Sequence, residues 1–290
     1  CIRDSICIAG AMILPGTLGA AEIDRTVEMP EDGQVMVENL AGSIEFSTWD
    51  RAEAEIKGDA GSTVEEVEIE KTANGVRVKV RNEKDQRRID GTDLHLRIPS
   101  SASIEAEGVS ADISVRDSQG EKIILNTVSG DLEVEAKSSR IELNAVSGDV
   151  SFQGKAERVN AESVSGDVTL IGVEGEIKAS TVSGDISMEA GQVSHGRFET
   201  VSGEMSLELA LTDDGRLSCD SMSGDLKLRL PSAQQGSFSA QSYSGNINSD
   251  FGNAVSASHG PGSALDHQVG KGAAKVRLET FSGDISIRSH

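Results

Sequence analysis

Four aspartates, Asp131, Asp149, Asp167 and Asp185, recur 18 residues apart, each closing the same phrase, Val-Ser-Gly-Asp. Carboxylates repeated this regularly can do two kinds of chemistry. They can hold a row of divalent cations, because hard cations take carboxylate oxygens. They can also accept hydrogen bonds from backbone N–H groups at a corner, as aspartate does in Asx turns. If the phrases stack as neighbouring strands, the carboxylates stand roughly 4.8 Å apart. Adjacent charges then repel by about 0.9 kcal/mol even at the dielectric of bulk water. The Gly-Gly-x-Gly-x-Asp calcium repeat is absent, which favours the corner cap and leaves the cation row as the alternative.

The other reactive side chains do not converge into a catalytic pattern. The histidines are His95, His195, His259, His267 and His290, and no pair has the spacing of a compact zinc motif. His259 and His267 share one Gly- and Ser-rich segment, where a weak metal site is the alternative to a solvated loop. Serine is abundant, yet no Gly-x-Ser-x-Gly elbow occurs. Gly270-Lys271-Gly272 lacks the rest of a phosphate-binding loop. Cys219 follows Leu217 in an alternating run and reads as a small buried hydrophobe. A polysaccharide-cleaving β-helix would show an irregular charged cluster breaking one coil, with a Lys or Arg base beside the acids. Here the acids recur uniformly, and no base recurs with the phrase. The expectation is a non-enzyme with no cofactor and no metal.

What must position these residues is a repeat, which is read before anything else. The phrase begins as Val109-Ser110-Ala111-Asp112 and continues from Val128, Val146, Val164 and Val182. Variants start at Val201, Met222, Tyr243 and Phe281. Steps between successive phrases are 18 to 21 residues, except a last gap of 38 that reads as two units with a missing marker. Each unit holds two alternating runs. Leu132 and Val134 alternate with acids, then Ile141 and Leu143 alternate with Glu142 and Asn144, and Ala136 to Arg140 reads as a polar turn between them. Period-two alternation means strands with one buried face. Parity slips between Leu143 and Val146, which predicts a corner just before each marker.

The fold class is therefore all-β: a single-chain parallel β-solenoid (β-helix) with coils of about 18–21 residues. An antiparallel β-hairpin array is the alternative, and a propeller a lesser one. Each coil is expected to lie on the one before it, with Val128, Val146, Val164 and Val182 in one core column and Leu132, Val150, Val168 and Ile186 in another. The repeat glycines Gly130, Gly148, Gly166, Gly184, Gly203, Gly224, Gly245 and Gly283 are expected at corners where a Cβ would clash or φ must be positive. Aliphatic columns filling a narrow core also account for an aromatic content of only 3%. Residues 22–108 read as less regular coils of the same kind, with Leu40-Ala41-Gly42-Ser43 a worn marker. Residues 109–290 form the regular solenoid, continuous with them. Phe251 to Gly272 reads as an excursion from the stack, and Glu83 to Asp93 as a charged loop.

The formal net charge is −21. Duplex binding needs clustered Lys and Arg to displace counterions, so nucleic acid is excluded as an expected partner. Residues 1–21 read as a signal peptide: Arg3, an apolar stretch from Ile6 to Ala21, and small residues at its end. Cleavage there leaves Cys219 as the one cysteine of the mature chain, which then has no internal disulfide. No later segment is long and apolar enough to span a bilayer, which takes about 20 residues.

Several segments, taken in order, resemble a known family. They are Val37-Glu38-Asn39-Leu40-Ala41-Gly42-Ser43-Ile44 with Trp49-Asp50, the Ser-Gly-Asp series, Leu228-Arg229-Leu230-Pro231, Tyr243-Ser244-Gly245-Asn246-Ile247, and Glu279-Thr280-Phe281-Ser282-Gly283-Asp284-Ile285. Together they are similar to the bacterial adhesin-like family of β-strand repeats, a domain of unknown function of the 4097 type. The resemblance covers nearly all of the chain after residue 21. It implies an exported, non-catalytic β-solenoid in a cell-envelope setting, periplasmic or at the cell surface. The expected role is binding, adhesin-like or scaffolding, with an envelope or surface polymer or protein as partner. A polysaccharide-active enzyme and an inert spacer are the alternatives. The expected contact surface is a flat strand face carrying Ser129, Asp131, Glu133, Glu135 and their copies.

Overall fold

The computed structural model describes residues 21–83, 90–256 and 262–290. The expected signal peptide falls almost wholly on residues 1–20, outside the described residues, as does His259.

Alternation builds what it predicts. Among the described residues every regular element is a strand. Leu132 pairs in register with Val150, Val150 with Val168, Val168 with Ile186, and Ile186 with Met205, all between parallel strands. On the second face Ile123, Ile141, Val159 and Ile177 pair in the same way. The chain is thus a parallel β-solenoid, and the hairpin alternative does not occur in the repeat. The inward rows are fully buried, and Phe46, Phe152, Phe198 and Phe238 sit among the aliphatics. In the coil where Phe152 is large, the inward residue of the facing run is Ala161, so side-chain sizes trade across the narrow core. The span read as a polar turn, Ala136 to Arg140, belongs to the continuous strand Leu132–Ser147.

The marker valines depart from expectation. They stack in register, with the Ser165 amide donating to the Val146 carbonyl and the Ser183 amide to Val164, each at 2.9 Å. They point outward, however: Val128 is 46% exposed and Val164 43%. Alternation runs unbroken from Leu143 through buried Ala145, which places Val146 outside. The corner comes after the valine, at Ser-Gly-Asp, and Val150 restarts the inward row. The predicted corner before the marker and the predicted valine core column are both corrected by this one-residue displacement.

Chain order and stacking order also part at both ends. Strand Gln34–Trp49 pairs with Ser103–Ser118 on one side. On its other side it pairs with Gly75–Asn82 and Thr92–Pro99. The earlier coil therefore lies inside the later one. At the far end, Lys275–Ser282 sits between Met205–Ser223 and Gly236–Ser244. The last coil of the chain is the penultimate coil of the stack. The gap of 38 residues is thus not a missing marker. Ile247–Ser249 still stacks on Ile285–Ser289, and of the described residues that follow, Ser263–Val269 returns antiparallel along Gly236–Ser244. Phe251 stacks on Phe238 there, with ring centroids 4.8 Å apart. Ala21–Glu28, Glu53–Ala60 and Val64–Thr72 close the opposite end, also antiparallel. Antiparallel closure covers the strand edges that a parallel stack would otherwise leave open.

Candidate functional site

The edge of the solenoid that carries the markers is built from three stacked rows. The first is glycine. A Cβ on Gly148 would lie 2.0 Å from the carbonyl oxygen of Gly130, and on Gly166 2.0 Å from that of Gly148. The same approach, 1.9–2.2 Å, recurs at Gly130, Gly184, Gly203, Gly224, Gly245 and Gly283. Close backbone approach between coils demands glycine at all eight positions, and at Gly203, Gly224 and Gly283 a positive φ of 157°, 146° and 159° demands it as well.

The second row is the carboxylates. Asp131 Oδ1 accepts the Asp149 amide at 2.9 Å, Asp149 the Asp167 amide at 2.9 Å, and Asp167 the Asp185 amide at 2.8 Å. Asp185 accepts the Glu204 amide, and Asp225 the Asp284 amide. Each aspartate thus binds the next coil, not its own turn. Charge-assisted bonds of this kind offset the repulsion along the row. Glu204, one methylene longer, turns aside to meet Lys227 Nζ at 2.6 Å. Among the described residues no group of three or more His, Cys, Asp or Glu side chains is placed to hold a metal ion.

The third row was missed in the sequence. The residue before each marker points inward, and it is often a hydroxyl. Thr181 Oγ1 donates to the Gly166 carbonyl at 3.1 Å, Ser163 to Gly148 at 3.1 Å, and Ser242 to Gly283 at 2.8 Å. Ser163 and Thr181, each at the end of a coil, thus close onto the glycine at that coil's start. Thr200 Oγ1 and Ser221 Oγ are buried without a partner. The signal was legible as Thr or Ser at one fixed offset from Val, masked by the abundance of serine.

Outside these rows lies an apolar ridge. Leu40, Val109, Val128, Val146, Val164, Val182, Val201 and Met222 are exposed, one per coil, and Phe281 and Tyr243 complete the line. The two aromatic rings stack at 4.9 Å with 7° between their planes. The aspartate row runs along one side of the ridge. Along its other side, two residues before the markers, the row is mixed: Asn126, Asn144 and Ser180 in three coils, Glu162, Glu199, Asp220 and Glu279 in four others.

The other residues singled out in the sequence stay apart from this edge. Cys219 is buried, and burial pushes its thiol far above the ordinary cysteine range. His95 meets Glu45 at 3.0 Å near the N-terminal end. His267 lies on the strand that covers the other end. No helix among the described residues is long and apolar enough to cross a membrane.

Fold and edge together define a capped parallel β-solenoid repeat protein. Residues 34–288 match the Toastrack DUF4097 model, and the chain belongs to that family. No curated protein matches the chain. Among solved structures, it is similar to a candidate adhesin from Bacteroides fragilis, with 13% identity, 93% of this chain and 99% of that chain covered, and a TM-score of 0.46. A candidate adhesin from Parabacteroides distasonis shows 10% identity, coverage of 93% and 98%, and a TM-score of 0.42. A candidate lipid-binding protein from the same organism shows 10% identity, coverage of 92% and 96%, and a TM-score of 0.43.

Proposed function

We propose that this chain is an exported, non-catalytic binding protein of the bacterial cell envelope, adhesin-like or scaffolding, and that the marker edge is its contact surface. The observation that carries this reading is the apolar ridge. Monomeric soluble proteins rarely leave a long contiguous apolar strip in water, and such strips mark interaction sites. The aspartate row flanks this strip on one side, so its complement is a partner surface that is apolar along one line and basic along one edge of it. Contacts repeated once per coil make binding multivalent, and many weak contacts then sum along the edge. Export rests on residues 1–21. Intact-mass measurement of protein from native envelopes should find a start near Ala21 or Glu22, and a retained leader would contradict export.

The binding role is tested by incubating the chain from residue 22 onward with purified envelopes and surface polysaccharides. Retention and new reducing ends are followed together. Retention without new ends is the expected result. New reducing ends would overturn the non-catalytic reading, and absence of any retention would leave an inert spacer.

A further inference from the structure

The second strand face gathers cations on an otherwise acidic molecule. The whole chain carries 48 Asp and Glu against 27 Lys and Arg. Yet a groove of about 640 Å³ on this face is lined by seven Lys and Arg and only two Glu. It runs along the solenoid axis between two rows of outward side chains. One row is Arg140, Arg158, Glu176, His195, Arg216 and Lys275, each in register with the next. The facing row is Glu142, Asn160, Lys178, Arg197, Ser218 and Arg277. Six coils at the spacing of neighbouring strands make the groove about 24 Å long.

Five of the seven cations are answered internally. Arg140 pairs with Glu142, Arg158 with Glu176, Lys178 with Glu162, Arg197 with Glu199, and Arg277 with Glu279. A guanidinium has five N–H donors, so a single carboxylate leaves some of them free. Arg216 and Lys275 stand side by side, exposed, with no ion pair among the described residues. Neutral groups sit between the cations. Asn160 Oδ1 is buried without a hydrogen-bond partner, which leaves an acceptor in want of a donor.

We propose that this groove binds a linear anionic glycan, a polysaccharide bearing carboxylate or sulfate groups on its sugars. Such a polymer supplies anions for Arg216, Lys275 and the spare guanidinium donors of the paired arginines, and ring hydroxyls for Ser218 and His195. The floor is a parallel sheet whose backbone groups are paired between coils, so a peptide cannot add to it as a strand. No aromatic side chain lines the groove, so nucleic-acid bases have nothing to stack on. The site lies on a different row set from the marker edge and stands or falls separately from it.

The test is titration of the chain from residue 22 onward with polygalacturonate, dextran sulfate, uncharged dextran and a single-stranded oligonucleotide, at several salt concentrations. The comparison variants are Arg216→Gln with Lys275→Gln, and Lys71→Gln on the strand that closes the N-terminal end. The first pair is exposed and unpaired, so melting should not change. The expected result is salt-sensitive binding of one or both anionic glycans, weakened about tenfold or more in the double variant and unchanged by Lys71→Gln. The two glycans separate carboxylate from sulfate recognition. Equal or tighter binding of the oligonucleotide would overturn the proposal. So would binding to dextran alone, binding unaffected by the double variant, or no binding to either anionic glycan.

Discussion

At the residue scale, the marker edge is held by backbone closeness and by two kinds of side-chain bond. Thr181 and Thr200 occupy the same offset in different coils, but only Thr181 has an acceptor, the Gly166 carbonyl. Thr181→Val should cost about 1 kcal/mol, and Thr200→Val should be neutral or stabilising, because it removes a buried hydroxyl that bonds nothing. Denaturant melts of the two variants check this, and equal losses would contradict the closure role. Gly166→Ala drives a methyl into the Gly148 carbonyl and should cost about 3 kcal/mol. Cys219, buried with its thiol pushed up, should resist alkylation at neutral pH until the chain unfolds. A fast native reaction, followed by mass, would place it elsewhere. The aspartates and glycines were legible as a repeat. The hydrogen bonds of the aspartates across coils were not, because a sequence shows the interval and not the neighbour.

At the element scale, the strands were legible and their order was not. Alternation names the buried face of Leu132–Ser147, but it is blind to which coil lies above. The worn coil at residues 34–49 and the last coil look, in sequence, like terminal units. Each lies one place inside the end of the stack, because strands from elsewhere in the chain, Gly75–Asn82 and Thr92–Pro99 at one end and Gly236–Ser244 at the other, stack parallel on its outer side, and antiparallel strands close the edges only beyond those. The marker valine was misplaced for a related reason. An apolar residue beside a glycine invites burial, but the parity that governs it is set by Leu143 and Ala145 behind it. The interior position of the last coil has a consequence. Deleting residues 273–290 removes the support between Met205–Ser223 and Gly236–Ser244. Hydrogen exchange should then show protection lost from residues 226–249 and kept in residues 103–205, as nearest-neighbour stacking requires. Full protection of residues 236–249 in the shortened chain would contradict that order.

At the scale of the whole molecule, the net charge of −21 hides an uneven surface. The aspartate row flanks the apolar ridge, while the second face gathers cations along its groove. The net charge concealed the second, because the cations recur irregularly, four or six residues before the marker, among carboxylates. The aspartate row commits Oδ1 of each carboxylate to a backbone amide, and among the described residues no group of three or more His, Cys, Asp or Glu is placed to hold a metal ion, so chelator should leave the melting temperature unchanged. A drop of several degrees, reversed by calcium, would restore the cation row. The central claim is that the outward ridge is a contact surface. It is tested most directly by co-sedimentation with purified envelopes, comparing the native chain with a variant carrying Val128→Thr, Val146→Thr, Val164→Thr and Val182→Thr. These substitutions keep shape and strand preference and change only the polarity of exposed positions. The account predicts that the native chain sediments with envelopes and that the variant, with an unchanged melting temperature, largely remains in solution. Equal sedimentation of the two would contradict it.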